Sequence, residues 1–149
     1  VIRSLLLALA TLAFAGCTTD ACEEDPRAQV LDERVELEVG PLVLDAELAD
    51  APSERERGWM HRRCDSEALL LVPDTPRTEL PVWGCALTAP LDVAFVAEGS
   101  IVALAELEPC PEPCGACPRV GASLLVDAVI ETPRGDVEPP FELGAAVRW

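Results

Sequence analysis

Seven cysteines are spread over 149 residues. An odd number cannot all pair within one chain, so one thiol is free or one cysteine has another task. The first cysteine suggests which. Cys17 follows an apolar run, Leu5 to Ala15, broken only by Thr11 and preceded by one positive charge, Arg3. The run has signal-peptide length and falls short of the roughly 20 residues that a membrane-spanning helix needs. Val1 is read as a translated alternative start.

Two cleavage sites compete in Ala13-Phe14-Ala15-Gly16-Cys17. Ala13-x-Ala15 suits plain secretion. Ala15-Gly16-Cys17 resembles a bacterial lipobox, which implies cleavage before Cys17 and lipid on its sulfur; Phe14 stands where Leu is usual. The lipobox reading is preferred because it leaves Cys22, Cys64, Cys85, Cys110, Cys114 and Cys117, an even set that an exported protein can close as disulfides. Residues 1–16 are therefore expected to be a signal peptide and 17–34 a lipidated acidic tether. Thr18, not Asp, follows the lipid site, and by resemblance to bacterial sorting rules this favours the outer membrane. Several acyl chains would anchor firmly, whereas one alone binds marginally.

Charge narrows the partners. Acidic residues number 27 and basic ones 11, for a net charge of −16. Such a chain repels a phosphate backbone, so nucleic acid is not an expected partner. Every basic residue is Arg, and without lysine there is no Schiff-base or Walker-type chemistry. One His cannot build a His-rich metal site. Half the residues are apolar, enough for a packed core.

Along residues 35–149 the pattern is that of short strands. Val35 to Val39 alternates apolar and polar, Gly40-Pro41 marks a turn, and Leu42 to Leu48 reads as a second strand. Pro52 to His61 is the helical candidate, with Ser53 and Glu56 at capping-box spacing and Gly58 weakening its end. Ala68 to Val72, Val82 to Cys85, Leu91 to Ala97, Ile101 to Leu107 and Ser123 to Ile130 follow as strands. Leu91–Ala97 and Ile101–Leu107 form a hairpin about Glu98-Gly99. Thr132-Pro133-Arg134-Gly135 punctuates, and Gly144 to Trp149 closes the sheet. The expectation is one mainly β domain, a compact sandwich or barrel with one short helix.

Two stretches resemble the uncharacterised bacterial family called domain of unknown function 192. Pro52, Glu54, Arg55, Gly58, Met60 and Arg62 fall on its first motif. Trp83, Pro90, Leu91, Asp92, Ala94 and Phe95 fall on its second. The resemblance implies a compact β-sandwich and export, and no chemistry, since the family has no established activity. Two departures stand out. The family's capping Thr is Ala51 here, so Ser53 or Asp50 must cap instead. Its Met-Lys-Asn-Thr stretch is Gly84-Cys85-Ala86-Leu87, so a function resting on that Lys and Asn is not assumed.

Candidate chemistry is sparse. Arg55, Arg57, Arg62 and Arg63, beside His61, form the one basic island. They can clamp a carboxylate. The plainer reading pairs them with Glu54, Glu56, Asp65 or Asp92, with an Arg–Asp92 pair pinning helix to sheet. Arg55 and Arg62 would share a helix face. Trp59, Met60 and Trp83 either line an aromatic pocket or pack the helix on the sheet. Cys110, Cys114 and Cys117 are read as disulfide partners, with one bridge inside the loop and Cys64 pairing with Cys85. A zinc site or a redox pair is the alternative. No metal or cofactor is expected and no catalytic residue is assigned. The function expected is that of a non-enzymatic, envelope-anchored module that binds an envelope protein or small ligand. The alternative is a thiol-redox or metal-handling protein using residues 110–117.

Overall fold

A computed structural model of the chain describes residues 22–64 and 66–149. The expected signal peptide, Cys17, Thr18 and Asp65 lie outside the described residues.

Arg34–Val39 (β1) and Leu42–Ala49 (β2) form an antiparallel hairpin, with Val35 opposite Ala46 and Val39 opposite Leu42. Gly40 turns it at φ +55°, a conformation that costs glycine little. A short helix follows, Pro52–Arg57 (α1). Ala68–Leu71 (β3) then lies parallel to β2 and is buried throughout, which its unbroken apolar sequence allows. Thr78–Glu79 (β4) and Val82–Trp83 (β5) are brief. Leu91–Ala97 (β6) and Ser100–Leu107 (β7) make the expected hairpin. Arg119–Val120 (β8), Leu125–Val126 (β9), Ala128–Pro133 (β10) and Val147–Arg148 (β11) complete the described strands.

Seven strands form one sheet in the order β11-β1-β2-β3-β10-β6-β7, while β4 pairs with β9 and β5 with β8 as small ribbons. The sheet curls on itself, so of sandwich and barrel the barrel-like form is realised. Its ends are stitched by the C-terminal segment. β11 pairs with β1, and just before it the Gly144 N–H donates to Ile101 O at 2.8 Å and the Ile101 N–H to Ala145 O at 3.0 Å.

Period-two alternation gives the sheet two apolar faces. Leu37, Ala46, Leu70, Ala94, Val96 and Ile130 pack together on one face. Leu69, Leu71, Val93, Phe95 and Val129 lie on the other face and are covered by Trp59, Val82, Leu87 and Val126. Gly121 comes so close to the Phe95 ring that a Cβ there would overlap it.

Three local expectations change. The helix stops at Arg57, because Gly58 at φ +47° leaves the helical region. Its cap is neither Ser53 nor Asp50: Ala51 occupies the N-cap, and its N–H donates to Glu54 Oε2 at 3.1 Å. Pro52 sits at the first helical position, where no N–H is needed. The strand read over Ser123–Ile130 divides into β9 and β10, and β10 runs on through Thr132 and Pro133.

Residues 22–33 are held to the domain. Cys22 is bridged to Cys64. Asp25 accepts from Arg27 Nη2 at 3.0 Å and Arg63 Nη2 at 3.1 Å. Gln29 Nε2 donates to Glu54 O at 2.8 Å and Gly58 O at 3.0 Å, satisfying carbonyls at the end of α1.

Candidate functional site

The chain after α1 turns sharply at Gly58 and lays Trp59 and Met60 beside β5. A cavity of about 290 Å³ lies between them. Arg55, Gly58, Met60 and Trp83, all singled out in the sequence, line it, together with Trp59, Arg57, Arg119 and Glu131. The first and second motifs therefore meet here, with Trp59 buried and Trp83 half-buried.

Glu131 is the residue that the sequence concealed. It occupies an apolar-face position in the middle of the sheet, opposite Leu69 of β3 and Val93 of β6. It is 4% exposed, and its Oε2 has no hydrogen-bond partner among the described residues. Burial pushes its carboxyl up to about 7, against the weaker pull of Arg62. A Cβ at position 58 would lie 3.5 Å from Glu131 Oε2, at contact distance, so Gly58 sits directly beside this oxygen. An unpartnered buried carboxyl is costly and needs a reason. The available sequence signal is that Val129 and Glu131 share a face.

Arginines meet this cavity in two ways. Arg55 is tied down: Nη1 donates to Asp50 O and to Val72 O, and Nη2 lies 3.1 Å from Asp74. Arg57 and Arg119 are exposed and have no acidic partner among the described residues. Arg119 stacks on Trp83, 3.8 Å from the ring centre, because β5–β8 pairing sets the two opposite each other.

Arg62 does not join Arg55 on a helix face, since the helix has ended. It is buried and stacks on Trp59 at 4.9 Å while donating to both oxygens of Glu47. Burial pushes the Glu47 carboxyl up, but hydrogen bonds from Arg62, the Leu31 N–H and Ser66 outweigh it and hold the carboxyl below its ordinary range. Arg63 pairs with Asp25. Asp92 pairs with none of the island. It alternates with Leu91 and Val93, so it points to the sheet face opposite α1, where its carboxylate lies 3.8 Å from Arg134 and accepts from the Gly135 N–H at 3.0 Å. The neighbouring Pro90 carbonyl accepts from the Arg134 N–H at 3.1 Å.

All six cysteines of the domain are bridged, as Cys22–Cys64, Cys85–Cys114 and Cys110–Cys117. The bridge within the loop is as expected. Cys64–Cys85 is not formed, because Cys64 faces the N-terminal segment and Cys85 lies against residue 110, where the Cys110 N–H donates to Gly84 O at 2.7 Å. Gly84 is needed there: a Cβ would overlap the Glu108 carbonyl. Among the described residues no group of three or more His, Cys, Asp or Glu is placed to hold a metal ion.

Comparison with known proteins gives a consistent picture. A solved protein of unknown function from Novosphingobium aromaticivorans is 23% identical, with a TM-score of 0.65 over 78% of this chain and 85% of that one. A second, from Sinorhizobium meliloti and described as a candidate transcription regulator, is 25% identical, with a TM-score of 0.66 over 81% of this chain and 97% of that one. A search of curated proteins finds no match. The model of domain of unknown function 192, "Uncharacterized ACR", matches residues 35–149. The chain belongs to the DUF192 family.

Proposed function

We propose that this chain is a lipid-anchored module of the bacterial envelope that binds a small ligand without transforming it. The observation that carries the binding reading is Glu131: a buried carboxyl oxygen without a partner, lining a cavity walled by two tryptophans. A bound group that donates a hydrogen bond would remove the cost of leaving it bare. Small-ligand sites share this build, mostly apolar walls with a few placed polar groups. The export reading is supported by three disulfides, which persist in oxidising compartments. They use every cysteine except Cys17, which suits lipidation of that one. DNA binding, suggested by the description of one structural neighbour, is not carried over, since a net charge of −16 opposes it.

Two measurements test the proposal. In a Gram-negative host, Cys17→Ser should move the full chain from the outer-membrane fraction to the soluble periplasm; retention in the membrane overturns the anchor. A chemically diverse fragment set should shift the indole N–H signals of Trp59 and Trp83 and leave that of Trp149 still. Silence at both cavity tryptophans overturns the binding reading.

A further inference from the structure

The distribution of charge around the cavity narrows the ligand. In so acidic a chain, arginines find partners easily, and every other arginine of the described residues is ion-paired. The two that are not, Arg57 and Arg119, line the same cavity. They come from distant parts of the sequence, the end of α1 and the β8 ribbon, so one local accident does not leave both free. Both are exposed, which sets them at the rim, whereas Glu131 is buried, which sets it at the floor. Between rim and floor the walls are Trp59, Met60 and Trp83. Arg119 is also held in place by its stack on Trp83, so its guanidinium loses little freedom on binding.

We infer that the cavity takes a small amphiphilic carboxylate: its anion held by Arg57 and Arg119, its apolar body against Trp59, Met60 and Trp83, and a hydroxyl at its far end donating to Glu131. Each part answers one feature. Guanidinium groups bind carboxylates with paired, charge-assisted hydrogen bonds. Indole and thioether walls favour an apolar, polarisable body. A hydroxyl can donate to a carboxyl oxygen whatever that carboxyl's own protonation. The volume, about 290 Å³, is at the lower end for ligand pockets and limits the body to about one ring. The overall negative charge would repel larger polyanions, so the rim arginines serve a single charge.

This inference rests on the cavity being a ligand site, and its test separates the two ideas. The full chain in detergent is titrated with para-hydroxyphenylacetate, with phenylacetate, which lacks the hydroxyl, and with tyrosol, which lacks the carboxylate. The Trp59 and Trp83 signals report binding. Para-hydroxyphenylacetate should bind tightest, and loss of either group should weaken binding about tenfold. Arg57→Ala with Arg119→Ala should abolish the advantage over tyrosol. Glu131→Met, an apolar replacement of similar length, should abolish the advantage over phenylacetate. Equal binding of the three compounds, or an advantage that survives these substitutions, overturns the inference while the binding reading stands. No binding of any of the three overturns it as well, and the fragment experiment then decides whether the binding reading falls with it.

Discussion

Arg62 and Glu47 form a two-pronged ion pair inside the domain: Nη1 donates to Oε1 at 2.7 Å and Nη2 to Oε2 at 2.5 Å, with both side chains buried. Glu47 also accepts from the Leu31 N–H at 2.8 Å and the Ser66 hydroxyl at 3.1 Å. The pair thus joins β2, the segment after α1 and the N-terminal stretch. Arg62→Met leaves the buried carboxylate with only the Leu31 N–H, the Ser66 hydroxyl and the more distant Arg34, 3.7 Å from Oε1, and should cost about 3 kcal/mol, read by urea denaturation. Adding Glu47→Leu should recover only part of this, because the Leu31 N–H then loses its acceptor. Full recovery would show that the Leu31 and Ser66 bonds contribute nothing.

Glu47 and Glu131 should give opposite pH signatures. Glu47 is held below its ordinary range in the folded chain, so its stabilisation is present above the unfolded value and is lost as pH falls through the folded one. Glu131 is raised from 4.5 to about 7. From pH 4.5 upward the unfolded chain gains by ionising Glu131 and the folded chain does not, so stability falls until the folded carboxyl ionises near 7. The full difference is about 3 kcal/mol. Glu131→Gln should therefore match the wild type at pH 4 and exceed it at pH 8 by thermal denaturation. An unchanged difference across that range would refute the raised carboxyl.

The Cys22–Cys64 bridge closes a sequence separation of 42 and ties the N-terminal segment to the domain. Cys22→Ser with Cys64→Ser should lower stability by about 2–4 kcal/mol through the freed unfolded chain. Amide exchange should rise in residues 22–33 first, since that stretch is then held only by hydrogen bonds and ion pairs through Glu24, Asp25, Gln29, Leu31 and Glu33. Unchanged exchange there would mean that the hydrogen bonds suffice.

Ala86 holds φ +52°, a left-handed conformation that alanine adopts at a cost. The resembled motif has Asn at this place, a residue that tolerates that region. Ala86→Asn should raise stability by up to about 1 kcal/mol, measured as the denaturation midpoint. A fall would show that the side chain meets an obstacle near Cys110, whose carbonyl accepts the Ala86 N–H at 2.8 Å.

Much of the strand pattern can be read directly because it is local. Leu91 to Ala97 and the Glu98-Gly99 turn emerge unchanged, since alternation and a turn residue specify them without outside help. The partners of Arg62 and Cys64 emerge only in three dimensions. Glu47 lies 15 residues from Arg62, Cys22 lies 42 from Cys64, and nothing in either neighbourhood marks them. The cavity was half visible. Trp59, Met60 and Trp83 stand out as large side chains, whereas Glu131 hides at the end of an apolar run and Arg119 in a Pro-rich loop. These are the two residues on which the ligand reading most depends, and both acquire meaning from what strand pairing sets opposite them.

The C-terminal stitch also sets a timetable. Arg148 pairs with Glu38 across 110 positions of sequence, with Nη2 2.7 Å from Oε2. Until Arg148 has left the ribosome and crossed any membrane on the route, β1 and β7 remain open rims, and such rims recruit other chains. Closing so long a loop is slow, because its entropy is lost before the contacts reward it. Until β11 is in place, neither rim has the partner that covers it in the folded domain. The domain is therefore most open to wrong pairing during synthesis, and least once the C-terminal stitch has formed.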